Sequence, residues 1–181
     1  MKTEIGALED RVREALAAVP DPEIPACSIV DLGMVERIEA TTEHVEVDLL
    51  PTFIGCPAKD IIGEEAKKAV TTVAEQREVR VRFVYDPPWT TDRITERGKE
   101  ALRSFGISPH WETDGPVAIQ LLRGSGVTCP FCGSTETVTE SSFGPTPCRS
   151  VHFCRSCRNP FEGFKTKLIT DRASGSPRPG P

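Results

Sequence analysis

The spacing of apolar residues changes twice in the N-terminal part of the chain. Apolar side chains first recur every three or four residues, which predicts an amphipathic helix over Thr3–Val19. The next segment, Pro20–Pro25, contains three prolines and is predicted to be an extended loop that presents Asp21 and Glu23. Over Met34–Leu50 apolar and polar residues alternate, which predicts two strands joined in a hairpin.

A second helix, a third strand and a third helix are predicted after this hairpin. Pro51–Pro57 interrupts the strand pattern, and a helical stripe begins near its last residue. Residues 79–83 alternate apolar side chains with arginines, as in a strand with one exposed face. A third helix is predicted over Asp92–Ser104, with Thr91 or Asp92 as its N-cap. This mixed order of helices and strands indicates an α+β fold with two layers.

Two Cys-x-x-Cys pairs lie in the last third of the chain: Cys129 with Cys132, and Cys154 with Cys157. The gap between the pairs is 21 residues, slightly wider than the usual spacing of paired zinc knuckles. Four thiolates complete the tetrahedral coordination sphere of a structural metal, so the pairs predict a β zinc ribbon over residues 128–168. A four-thiolate iron site and disulfide or redox chemistry are the alternatives.

The rest of the chain divides around this ribbon. Residues 1–106 are expected to form the first domain, because they hold all the helices of the pattern. Residues 107–127 are expected to be a linker, with one short strand at Val117–Leu122. Residues 169–181 are rich in Ser, Gly and Pro and are predicted to be a disordered tail.

Charge and cysteine content narrow the functional class. Residues 1–127 hold 15 basic and 23 acidic side chains, a net charge of −8, whereas residues 128–181 hold 7 and 4, a net charge of +3. Neither part has the basic patch of a nucleic-acid-binding protein. No apolar stretch approaches the length of a membrane span, and Met1–Asp10 lacks the apolar run of a signal peptide. With seven cysteines, an odd number, we expect a reduced, cytoplasmic protein that binds a protein partner.

Cys56 is the candidate reactive residue of the first domain. Proline is favoured at the first position of a helix, so Pro57 is expected to place Cys56 at or beside the N-cap. At that position the helix dipole is expected to lower the pKa of the thiol. Such a thiolate could bind a soft metal, exchange a persulfide or act as a nucleophile. The alternative is that Cys56 is a small buried apolar residue.

Three other side chains are candidates either for function or for packing. Cys148 is either a fifth ribbon thiol, able to exchange with a zinc ligand or to face a partner, or a buried apolar residue. Cys27 is interpreted as a packing residue. His152 lies two residues before Cys154, and in a strand its side chain would point away from the metal.

Several motifs of the chain resemble those of a known family. Asp21–Pro25, Ser28–Val35 and Pro51–Pro57 resemble the SufT-like domain that is associated with iron-sulfur cluster and metal-site assembly. Together with Trp89–Asp92 and the ribbon that ends in Cys157–Phe161, the chain resembles the PaaD (PaaJ) family of the phenylacetyl-CoA oxygenase system. The resemblance extends over about residues 5–168.

The resemblance implies a small α/β assembly domain with a C-terminal zinc ribbon, acting in maturation of a di-iron monooxygenase. It implies that Cys56 is the thiol that handles the cargo, iron or an iron-sulfur cluster held transiently. Asp21, Glu23, Asp31 and Thr52 would shape the pocket around it. The implied partners are the reductase or di-iron subunits of the oxygenase, and a homo-oligomer is left open.

Two other functions remain open from the sequence. The chain could be a non-catalytic structural subunit that bridges oxygenase components, with Cys56 as a passive core residue. It could also be a thiol-dependent enzyme that acts on a small molecule through Cys56. No hydrolase triad motif or phosphate-binding glycine loop supports autonomous catalysis.

Overall fold

The computed structural model describes residues 2–109 and 127–164 of the chain. The first part contains three α-helices and six strands: α1 (Lys2–Ala17), β1 (Pro20–Asp21), β2 (Ile24–Ser28), β3 (Val35–Ala40), β4 (His44–Leu49), α2 (Lys59–Val73), β5 (Glu78–Phe83), α3 (Glu96–Ser104) and β6 (Ile107–Ser108). The second part contains three strands: β7 (Thr137–Ser141), β8 (Arg149–Cys154) and β9 (Pro160–Phe164). The predicted strand at Val117–Leu122 and the tail over residues 169–181 lie outside the described residues.

Strands β3, β4 and β5 form the sheet of the first domain, in that order. The hairpin β3–β4 is antiparallel, while β5 pairs with β4 in parallel because α2 crosses over between them. Val45, Val47 and Leu49 face inward and are completely buried beneath α1 and α2. On the outer face Asp48 is paired with Arg37 and Arg82. The prediction of an α+β fold with two layers is therefore confirmed.

The segment predicted to be an extended loop is instead a small antiparallel hairpin, β1–β2. The carboxylate of Asp21 explains the difference, because its Oδ1 accepts hydrogen bonds from the backbone N–H groups of Glu23 (2.8 Å) and Ile24 (3.0 Å). A side chain that closes a turn in this way lets the chain reverse despite its prolines. Ile24 and Cys27 then anchor the second strand in the core.

The third helix begins later than its apolar pattern suggests. A short 3₁₀ turn occupies Thr91–Arg93, and Ile94 is extended and buried. Thr95 is the N-cap of α3, since its hydroxyl accepts the backbone N–H of Gly98 at 3.0 Å. The predicted caps, Thr91 and Asp92, lie in the 3₁₀ turn.

The ribbon sheet includes a strand from the segment predicted to be a linker. Its order is β6-β9-β8-β7, and β6 pairs in parallel with β9. Phe164, at the end of β9, belongs to the core of the first domain and packs on Trp89 with ring centroids 5.4 Å apart. The Trp89 indole N–H in turn donates to the carbonyl of Leu32 at 2.7 Å. The ribbon is thus fused to the first domain through a shared core.

Within residues 2–109 and 127–164, none of the helices has the length and apolar character needed to cross a bilayer.

Candidate functional site

The four ribbon cysteines form a site that fits zinc. The Sγ atoms of Cys129, Cys132, Cys154 and Cys157 all lie within 4.8 Å of one another. The Sγ atoms of Cys129 and Cys157 are 3.7 Å apart, and those of Cys132 and Cys154 are 3.6 Å apart. A tetrahedral zinc ion with Zn–S bonds of about 2.3 Å requires sulfur atoms about 3.8 Å apart. The donor set therefore matches structural zinc, as the cysteine spacing predicted.

Two tight turns bring these thiols together. In the first knuckle the N–H of Gly133 donates to the carbonyl of Cys129 at 2.9 Å, with Gly133 at φ 72°. In the second knuckle Arg158 (φ 60°) donates to the carbonyl of Cys154, also at 2.9 Å. Burial opposes ionisation of Cys154, but hydrogen bonds from backbone N–H groups and neighbouring thiols lower its pKa to about 7. The knuckles are thus prepared to hold thiolates, and a bound metal completes their ionisation.

His152 lies outside this metal site. Its Nδ1 is 3.2 Å from the hydroxyl of Thr139 and its Nε2 is 2.8 Å from that of Ser150. The imidazole is fully buried and stacks on Phe161, and burial lowers its pKa to about 4. His152 is therefore a neutral core residue of the ribbon.

A pocket lies between the first domain and the ribbon. Its volume is about 20 Å³, enough for about one water molecule or a single ion. The first domain and the ribbon both contribute to its wall, which consists of Asp21, Glu23, Ile24, Thr52, Phe53, Cys56, Pro57, Thr146, Pro147, Cys148, Arg149 and Phe164. Four side chains predicted for a site around Cys56 thus meet in one place: Cys56 itself, Asp21, Glu23 and Thr52.

Cys56 is half-buried in this pocket, and its pKa is raised rather than lowered. Burial is the main cause, and the charges of Cys148, Asp21 and Glu23 act in the same direction. The expected helix effect is weak because α2 begins at Lys59 with Ala58 as its N-cap, so Cys56 lies two residues before the cap. A backbone hydrogen bond from Ala58 still favours the thiolate but does not outweigh burial.

Asp31 is placed away from the pocket lining. Its carboxylate accepts the backbone N–H and hydroxyl of Ser28 at 3.0 and 2.7 Å. It also accepts two hydrogen bonds from the guanidinium of Arg97, at 2.8 and 2.7 Å. Burial acts to raise the pKa of Asp31, but these bonds outweigh it and lower the pKa. The structure therefore gives Asp31 the contacts of a residue that holds the β2 end against α3.

The two remaining cysteines have different environments. Cys27 is completely buried in the core, with its thiol 3.7 Å from the carbonyl of Gly98, so its interpretation as a packing residue is confirmed. Cys148 is only partly buried and lines the pocket opposite the first domain. Arg149, which no sequence motif singles out, also lines the pocket, and its side chain is 8% exposed. A buried arginine directly after a pocket cysteine can be recognised only once the ribbon is docked.

Comparison with known proteins agrees with this two-part architecture. Residues 9–83 match the family model described as "Iron-sulfur cluster assembly protein", and residues 113–165 match the "PaaD zinc beta ribbon domain". A crystal structure of a domain of unknown function, DUF59, from Bacillus anthracis has 32% sequence identity and a TM-score of 0.53, covering 56% of this chain and 97% of that one. The assembly-domain fold is therefore shared by a solved structure.

Two curated relatives extend the comparison. One of the subunits of the "Putative 1,2-phenylacetyl-CoA epoxidase" of Escherichia coli K12 is 39% identical over 150 residues, which cover 83% of this chain and 88% of that protein. The Bacillus subtilis "Fe-S protein maturation auxiliary factor YitW" is 36% identical over 99 residues, which cover 53% of this chain and 94% of that factor. Its match is the size of the first domain, whereas the Escherichia coli match is long enough to include most of the ribbon. The chain therefore belongs to the PaaD family, in which an iron-sulfur cluster assembly domain is joined to a zinc β-ribbon.

Proposed function

We propose that this protein is a cytoplasmic maturation factor for a phenylacetyl-CoA monooxygenase, and that it handles iron or an iron-sulfur cluster through Cys56 for one subunit of that complex. The observation that carries the proposal is the environment of Cys56, a half-buried thiol beside the carboxylates of Asp21 and Glu23 in a pocket of the assembly domain. The names of the relatives support it, since one is an epoxidase subunit and another is an Fe-S protein maturation factor.

The chemistry of the pocket suits transient binding. A thiolate and carboxylates are both ligands for iron, but stable clusters usually take four cysteine ligands. Burial raises the pKa of Cys56, so the metal-free pocket holds a neutral thiol that loses its proton when a metal binds. Reprotonation on release favours transfer to a client with more ligands. The client in this proposal is the reductase or the di-iron subunit.

Replacing Cys56 by serine tests this role. The variant should fold and keep its ribbon zinc, because Cys56 is not one of the four zinc ligands. The client oxygenase subunit, purified without oxygen from cells that contain the variant, should hold several-fold less iron or acid-labile sulfide. Cys27→Ser is the matched control, since Cys27 lies in the same domain but outside the pocket. A fully metallated client with Cys56→Ser would contradict the proposal.

A structural subunit that bridges oxygenase components is the second candidate. It is favoured by apolar side chains that are exposed in the isolated chain, including Ile54 (68%) and Phe143 (83%). Stoichiometric co-purification with the oxygenase, together with client activity that does not respond to Cys56→Ser, would support this function over maturation.

A further inference from the structure

We infer that the cargo pocket contains a second thiol ligand, Cys148, so that a soft divalent metal ion is held jointly by the assembly domain and the zinc ribbon. Cys56 and Cys148 would bind the metal through sulfur, and the carboxylate of Asp21 would be the third donor. The inference rests on the proposed function, because it assigns the ligands of the same pocket. It makes the ribbon part of the cargo site as well as a scaffold.

The two thiols reach the pocket from opposite sides. Cys56 lies in the turn before α2, where its N–H donates to the carbonyl of Phe53 at 3.0 Å. Cys148 lies directly before β8 of the ribbon. Both side chains are partly buried, and both line the cavity of about 20 Å³. Two soft donors from separate domains therefore face one space of the size of an ion.

Arg149 fixes the segment that carries Cys148. Its Nε donates to the hydroxyl of Thr146 at 2.8 Å, and its guanidinium is 2.8 Å from Glu162 in β9. A longer contact of 3.5 Å reaches Glu23 in the first domain. The backbone closes the same turn, because Arg149 N–H donates to the carbonyl of Thr146 at 3.1 Å. Cys148 is thus presented by a turn that is tied to both sides of the pocket.

The zinc centre does not use Cys148. The described group of mutually close sulfur atoms consists of the four knuckle cysteines, which are sufficient to close a tetrahedral site. The Cys148 thiol instead lies 3.2 Å from the Thr146 hydroxyl, at the pocket. A closed zinc site and a separate two-thiol site can therefore coexist in one chain.

Binding at this pocket is balanced in charge and protons. A divalent ion that binds Cys56 and Cys148 replaces two thiol protons, which pass to the solvent, and forms two metal–thiolate bonds. The two negative thiolates compensate the charge of the ion. Arg149 offsets the neighbouring Glu23, and no electron transfer is required. Two thiolates with one carboxylate select a soft or borderline metal over magnesium or calcium.

Anaerobic titration of the full chain with Co²⁺ tests the site directly. The ribbon should retain its zinc, because a given site generally binds zinc more tightly than cobalt. The wild type should show near-ultraviolet thiolate-to-cobalt absorption, which falls to about half in Cys56→Ser and in Cys148→Ser and disappears in the double variant, since charge-transfer intensity follows the number of thiolates. Cys27→Ser should match the wild type. Zinc content and circular dichroism verify that each variant is folded.

A second measurement needs no variant. A short bifunctional thiol reagent should cross-link Cys56 to Cys148 in the zinc-loaded wild type, and prior addition of Co²⁺ should protect both thiols, as read by peptide mass spectrometry. Wild-type absorption in Cys148→Ser, no cobalt site at all, or no cross-link would overturn the inference. Such a result with an under-metallated client in Cys56→Ser leaves the proposed function standing. A two-thiol cobalt site with a normally metallated client has the opposite meaning.

Discussion

Replacing Asp31 by alanine is expected to destabilise the protein by about 3 kcal/mol and to leave metal binding in the pocket intact. The carboxylate of Asp31 is 7% exposed and accepts hydrogen bonds from Ser28, Thr95 and Arg97. These contacts connect β2 to the start of α3 and do not reach the pocket lining. The family motif that contains Asp31 therefore has a structural part and a cargo part, and this substitution separates them.

The magnitude follows from which groups lose their partner. Breaking a buried ion pair by removing one member costs about 3–5 kcal/mol. The low end applies here, because Arg97 is 71% exposed and regains water when Asp31 is lost. The remaining penalty comes from the buried backbone N–H and hydroxyl of Ser28. Arg97→Ala should cost only about 1 kcal/mol, as for an exposed partner.

Urea denaturation of the zinc-loaded protein measures these values as a double-mutant cycle. With Asp31 absent, Arg97 has lost its partner, so the double variant should be about as stable as Asp31→Ala, with a coupling of about 1 kcal/mol. A loss below about 1 kcal/mol for Asp31→Ala would refute the structural assignment. Loss of the cobalt site in a variant of wild-type stability would refute it independently.

The same ion pair predicts a pH dependence. Hydrogen bonds hold the pKa of Asp31 below its ordinary value of 3.8, so the folded state binds fewer protons than the unfolded state as the pH falls towards that value. The contribution of Asp31 is complete above pH 3.8 and is lost as the pH falls through the lower folded-state pKa. The stability difference between the wild type and Asp31→Asn should therefore be constant from about pH 7 to 5 and narrow below about pH 4. A difference that narrows already near neutral pH would contradict this reasoning.

Three further predictions concern the fold. Removing the zinc with a chelator should unfold the ribbon and lower the Tm of the whole chain, because the ribbon has few core residues of its own and Phe164 joins the core of the first domain; an unchanged Tm in metal-free protein would contradict this. Gly98→Ala should cost about 2 kcal/mol, since its Cβ would lie 2.5 Å from the carbonyl oxygen of Asp31. Gly6→Ala, with nothing within 4 Å, should instead stabilise α1 by about 0.5–1 kcal/mol, and urea denaturation of the pair checks the difference. Trp89→Phe should cost about 1–2 kcal/mol, because it removes a 2.7 Å hydrogen bond, and thermal unfolding as stable as the wild type would argue against that bond.

Local patterns predicted the elements well where one strong signal dominated. The apolar periodicity of α1 and the alternation in β4 and β5 reappear in the structure, because burial of one face is set by residues close in sequence. The pattern was less reliable where side chains close turns. Asp21 closes a hairpin within a proline-rich segment, and Thr95 caps α3 after a 3₁₀ turn. Such contacts depend on a single hydrogen bond and leave no periodic trace.

By itself the sequence determined the α+β class, the four zinc ligands and the importance of Cys56 as a candidate. Cysteine spacing specifies the zinc site because the ligands lie on two short local turns and the metal supplies the long-range contact. Only the tertiary structure decided that Cys56 and Cys148 share a pocket, that Asp31 does not line it, and that the pKa of Cys56 is raised. The physical reason is that burial and neighbouring charge depend on how the ribbon docks through Phe164 and Arg149, which joins residues more than 100 positions apart.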